Sequence, residues 1–90
     1  MPHPLAVPGR EPLPLRPPSE ILTPRQTAVL AHLAAGYPNR ETATRLCCSR
    51  RTVEKHREAL LDRLGLHNTP AAIRYALRWG LVREDVPWIT

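Results

Sequence analysis

The chain has 90 residues, a formal net charge of +5 and two cysteines. That length holds one small domain and leaves no room for a deep catalytic cleft. No long apolar run or signal-type segment is present, which argues against a membrane partner, and the basic excess calls for an anionic one, nucleic acid first.

Seven prolines fall in the first eighteen positions. Proline fixes φ and removes a backbone donor, so residues 1–20 are expected to form no helix and to act as a disordered, proline-rich tail or linker. Leu5, Val7, Leu13 and Leu15 are its apolar residues, available to a partner groove. The domain is expected over residues 21–83, with residues 84–90 as a short C-terminal tail. Between residues 21 and 82 there are ten Lys/Arg against four Asp/Glu, so the positive charge belongs to the folded part.

The first predicted helix lies in "LTPRQTAVLAHLAAG". Thr23 and Gln26 are spaced for a capping box, Pro24 suits the first turn, and Gly36 ends the helix. Val29, Leu30, Leu33 and Ala34 form its apolar face. A short helix, "RETATRL", follows, with Asn39 as its expected cap and Ala43 and Leu46 facing inward. The turn "CCS" leads to a longer helix over residues 50–64, capped by Ser49 and closed by Gly65. In the turn, Cys48 is expected to fill a small apolar slot and Cys47 to face outward. Neither belongs to a zinc or disulfide pattern, and reduced thiols fit the cytoplasm. The last helix lies in "NTPAAIRYALRWG", with Thr69 as cap, Pro70 in the first turn and Gly80 at the end. No segment alternates with period two, so the fold is expected to be all-α with four helices.

At about 100° per residue, Val53, Leu60 and Leu64 form the buried seam of the helix over residues 50–64. Leu61 and His56 lie at its edges, and His56 is expected to be packed or phosphate-adjacent rather than to act as a ligand or base. Arg51, Lys55, Glu58 and Asp62 line the opposite face, with Glu54 beside them. Glu54 and Glu58 repel at i,i+4, as do Arg51 and Lys55, an arrangement that solubility alone does not favour. A short helix, a tight turn and a longer helix with Arg50, Arg51, Lys55 and Arg57 in its first turns make a helix-turn-helix, whose second helix enters the DNA major groove.

Several motifs then coincide: Leu22-Thr23-Pro24-Arg25, Gly36, Asn39-Arg40-Glu41 with Ala43, Leu46, Ser49, Thr52-Val53, His56-Arg57, Leu64-Gly65 and Gly80-Leu81. Over residues 21–82 the chain resembles the LuxR-type (GerE-type) helix-turn-helix domain of bacterial transcription regulators. The resemblance implies a four-helix domain that binds double-stranded DNA as a dimer, often through its last helix. It places Glu54, Lys55 and Glu58 at base edges. It places Arg40, Arg50, Arg51, Thr52 and Arg57 mainly at phosphates, with Ser49 beside them. Three positions depart from the family pattern. Gln26 replaces an acid, Thr42 an aliphatic side chain, and Cys48 a bulkier one. The Thr42 hydroxyl is expected to bond the carbonyl four residues back.

The last helix has two apolar stripes, Ile73 with Leu77, and Ala72 with Tyr75, Ala76 and Trp79. A small domain buries one easily, and the second is expected at a homodimer interface or under the chain's own tail, through Val86, Trp88 and Ile89. Ala72, Tyr75, Ala76 and Trp79 are the candidate interface residues. RNA polymerase or another regulator is a further possible partner. Two other readings share these features: a sigma-factor region-4-like module, and an antagonist that sequesters a larger regulator through the last helix. No enzyme, cofactor or metal is expected, because no nucleophile, carboxylate pair or ligand cluster has company at useful spacing. No receiver or sensing domain is legible, so the chain is expected to stand free or to be an output domain behind a linker.

Overall fold

The computed structural model describes residues 12–81. Leu5 and Val7, and the C-terminal tail with Val86, Trp88 and Ile89, lie outside the described residues. Five helices follow in order: α1 (Pro18–Ile21), α2 (Pro24–Ala34), α3 (Asn39–Arg45), α4 (Arg50–Leu64) and α5 (Thr69–Arg78), with no strand among the described residues. The all-α expectation holds, and α2 to α5 are the four helices read from the sequence.

The capping box of α2 forms as expected. Gln26 N–H donates to Thr23 Oγ1 at 3.1 Å, and Thr23 N–H donates to Gln26 Oε1 at 3.0 Å. This contact satisfies Gln26, which is buried without a charge to solvate. Ser49 caps α4 by accepting from Thr52 N–H at 3.0 Å. Two other caps differ from expectation. Asn68, not Thr69, caps α5, accepting from Ala71 N–H at 2.8 Å; Pro70 is then the second helical residue, where its missing donor is still harmless. Helix α3 has Pro38 at its cap and no side-chain cap bond, while Asn39 is already helical and its side chain is engaged by Arg57.

Helices α2 to α5 end in the same hydrogen-bonded motif. The residue in the left-handed region donates three residues back, and the next residue donates five back: Gly36 and Tyr37 after α2, Cys47 and Cys48 after α3, Gly65 and Leu66 after α4, Gly80 and Leu81 after α5. These are Schellman ends, which pair carbonyls that would otherwise lack partners. Three use glycine at the left-handed position. The turn between α3 and α4 uses Cys47, at φ 57°, where an L side chain costs about 1 kcal/mol. Cys47 is exposed and Cys48 packs against the core, as the sequence predicts.

Helix α2 packs on α4 and α5, and α3 packs on α4. Between them lie Val29 and Leu30 of α2, Val53, Leu60 and Leu64 of α4, and Ala71, Ala72, Tyr75 and Ala76 of α5. Each of the larger aliphatic side chains buried here stabilises the fold by about 1.5–3 kcal/mol. The side chains that α5 buries here are three small alanines and the much larger Tyr75.

Residues 12–20 are not a separate tail. Leu13 packs against the core, Pro18 is buried, and Pro18 starts α1, where a proline is tolerated at the first helical position. Tyr75 Oη donates to the Arg16 carbonyl at 2.7 Å, and Arg63 Nε donates to the Ile21 carbonyl at 2.8 Å. Burial pushes the Tyr75 phenol above its ordinary pKa, so it remains a donor.

Thr42 also departs from expectation. Its backbone amide bonds the Pro38 carbonyl at 2.9 Å, but its hydroxyl, fully buried, has no partner. Thr44 and Thr27, nearer the surface, do make the bond four residues back. A buried hydroxyl without a partner is a net cost. Thr42→Val and Cys47→Gly are therefore each expected to stabilise the protein by about 1 kcal/mol in urea denaturation. A loss of stability in either variant would contradict the corresponding assignment.

Candidate nucleic-acid interface

Helix α4 exposes a mixed-charge face because its apolar residues are confined to one side. Val53 and Leu60 are fully buried and Leu64 nearly so. On the outer side Arg50, Arg51, Glu54, Lys55 and Glu58 are exposed. Among the described residues none of these five has a side-chain hydrogen bond or ion pair; the ion pair present is the remote Arg16–Glu20 contact at 3.2 Å. The face therefore does not neutralise itself. Thr52 is half-buried and its hydroxyl lies 2.9 Å from that of Ser49, so the two hydroxyls sit together at the start of the helix. His56 is half-buried.

Arg40 is exposed on α3 and lines a groove with Arg50 and Arg57, together with Tyr37 and Asn39. The residues lining this groove include no carboxylate. The fold thus brings Arg40 beside the start of α4, joining two sequence-distant cations at one positive edge. Arg45, by contrast, lies over the Tyr37 ring at 4.1 Å from its centroid. That cation–π contact closes the α2–α3 turn.

Arg57 lines the same groove, and its guanidinium is also engaged within the chain. Its Nη1 donates to Asn39 Oδ1 at 3.2 Å and its Nη2 donates to Thr69 Oγ1 at 2.7 Å. One guanidinium thereby ties the middle of α4 to the first residues of α3 and α5. A sequence signal existed: Arg57 follows Val53 by four residues, which puts it beside the buried seam rather than on the outer face. Arg25 was also missed. Its Nη2 donates to the Leu46 carbonyl at 2.9 Å, so the start of α2 holds the helix-turn-helix corner.

The dimer candidates need correction. Ala72, Tyr75 and Ala76 are buried in the chain's own core, against α2 and the segment before it, and cannot meet a partner. Trp79 stays partly exposed beside Tyr75, their ring centroids 6.5 Å apart. It is the other stripe that faces outward, with Leu77 at 55% exposure and Ile73 half-buried. No group of three or more His, Cys, Asp or Glu side chains suited to a metal occurs among the described residues. No helix among them is long and apolar enough to cross a membrane.

Residues 20–76 match the family described as "Bacterial regulatory proteins, luxR family". The chain is also similar to the oxygen regulatory protein NreC of Staphylococcus aureus strains JH9, JH1 and Mu3. Each match is 39% identical over 61 residues, covering 68% of this chain. The chain matches only 28% of the length of those relatives. The match spans the capping box, the helix-turn-helix corner, all of α4 and most of α5, and on that ground the chain belongs to the luxR family of bacterial regulatory proteins.

Proposed function

We propose that the chain binds double-stranded DNA in a sequence-specific manner, in the cytoplasm, as the DNA-binding part of a bacterial transcription regulator. The observation that carries this reading is the outer face of α4, whose charged residues are exposed and unpaired next to the carboxylate-free Arg40–Arg50 edge. Glu54, Lys55 and Glu58 read base edges, Lys55 through guanine acceptors and the glutamates through the cytosine amino group. Arg40, Arg50 and Arg51 hold phosphates, with Ser49 and Thr52 at the helix start beside them. The acids also exclude registers that bring phosphate against α4.

A twofold dimer accounts for the outward Ile73–Leu77 stripe of α5, since that stripe faces away from the chain's own core. The two α4 helices then reach successive major grooves, about one helical turn apart.

The assignment of roles is tested by selecting bound sites from fragmented genomic DNA and measuring affinity against salt. Lys55→Ala is expected to reduce the preference for the selected site over scrambled DNA by about tenfold. Arg50→Ala is expected to weaken both alike and to lower the salt slope by about 0.9. Equal loss on every site in both variants contradicts these roles, and the absence of any enriched site favours the antagonist reading. For the dimer, Leu77→Asp is expected to keep the protein monomeric on its selected site in sedimentation; a persistent dimer places the interface elsewhere.

A further inference from the structure

Arg57 is the one charged side chain of α4 that bonds two other helices at once, through Asn39 of α3 and Thr69 of α5. Its neighbours in the chain do not share this position: Glu54, Lys55 and Glu58 are exposed and unpaired among the described residues. The buried seam of Val53, Leu60 and Leu64 holds α4 onto the core, but apolar contact is non-directional and tolerates small rotations about the helix axis. A base contact does not tolerate them. A roll of about 10° moves an atom about 8 Å from the axis by roughly 1.4 Å, beyond the ~0.5 Å that a reading contact allows. Hydrogen bonds are directional, and a planar guanidinium with two acceptors on separate helices resists that roll.

We infer that Arg57 is a positioning residue for DNA recognition: its fork between Asn39 and Thr69 sets the roll of α4 and so the aim of Lys55, Glu54 and Glu58. This inference rests on the DNA-reading proposal above, and it moves Arg57 from the phosphate contacts to the scaffold behind them. It also makes Thr69 a determinant of sequence preference. Thr69 starts α5, and its hydroxyl faces Arg57 rather than the outer face of α4.

Thr69→Val removes the acceptor and keeps the shape, and Thr69→Ser keeps the acceptor. In the full chain, with the site selected by the wild-type protein, Thr69→Val is expected to lower the ratio of specific to scrambled affinity by about fivefold. Its affinity for scrambled DNA and its salt slope are expected to stay at wild-type values, and Thr69→Ser to restore the ratio. Arg57→Met is expected to lower the ratio by a similar factor, with no further loss when combined with Thr69→Val. Urea denaturation of each variant provides the fold check, and Thr69→Ser carries the comparison if the valine variant is unfolded: an altered ratio in folded Thr69→Ser overturns the inference, and a wild-type ratio supports it. A drop of about 0.9 in the salt slope for Arg57→Met gives the guanidinium to a phosphate and overturns the inference. An unchanged ratio in folded Thr69→Val overturns it while leaving DNA recognition intact, whereas a wild-type protein that selects no site overturns both.

Discussion

Burial of one side of α4 against α2 is the contact on which the rest of the structure depends. Val53, Leu60 and Leu64 meet Val29 and Leu30 there, all at or near zero exposure. Because a helix buries only the stripe that its period allows, fixing this side leaves the other side open. The same fifteen-residue segment therefore serves as core and as surface. Helix α3 then packs on α4, and Arg25 holds the Leu46 carbonyl at the corner between them. The result is a short helix braced under a long one, with Arg40 of the first and Arg50 of the second brought to one edge.

The helix ends show how local chemistry supports that packing. Each of the four main helices closes with paired carbonyls and a partly or fully buried residue directly after the left-handed position: Tyr37, Cys48, Leu66 and Leu81. Each end thus terminates its helix, and Cys48, Leu66 and Leu81 lie in or against the core. Cys47 shows the cost of doing this without glycine in the α3–α4 turn, and Thr42 that of a hydroxyl in the core. Both departures bear on stability while leaving the corner intact, since the hydrogen bonds of the turn are backbone ones.

Much of this was legible in the residues. The capping box, the three glycine ends and the 53–60–64 seam follow from spacing alone, because they are local. The start of the domain was not legible, because proline density in residues 1–20 reads as a tail, and only tertiary contacts, the Tyr75 bond to the Arg16 carbonyl and the packing of Leu13 and Pro18, show that residues 12–20 belong to the fold. The same gap misdirected the reading of α5. Periodicity finds two apolar stripes, but which one is inside depends on what covers it, and the cover includes the segment taken for a tail. For the candidate site, the exposed residues of α4 were legible from the helical period. The internal bonds of Arg57 were not, since an arginine in a basic cluster reads as a phosphate contact and its acceptors, Asn39 and Thr69, lie far from it in sequence. Asn39 and Thr69 were misread for a related reason: both are good capping residues in sequence, yet their side-chain oxygens accept from Arg57.

On the proposed function, the open side of α4, backed by its buried side, is the surface that meets DNA. Amide chemical-shift mapping of the isotope-labelled chain with a duplex carrying its selected site tests this most directly. The largest changes are expected at residues 49–58 and at Arg40, with α1 and the core-facing residues of α5 little affected. Changes centred on α1 and α2, with residues 49–58 unmoved, would contradict it.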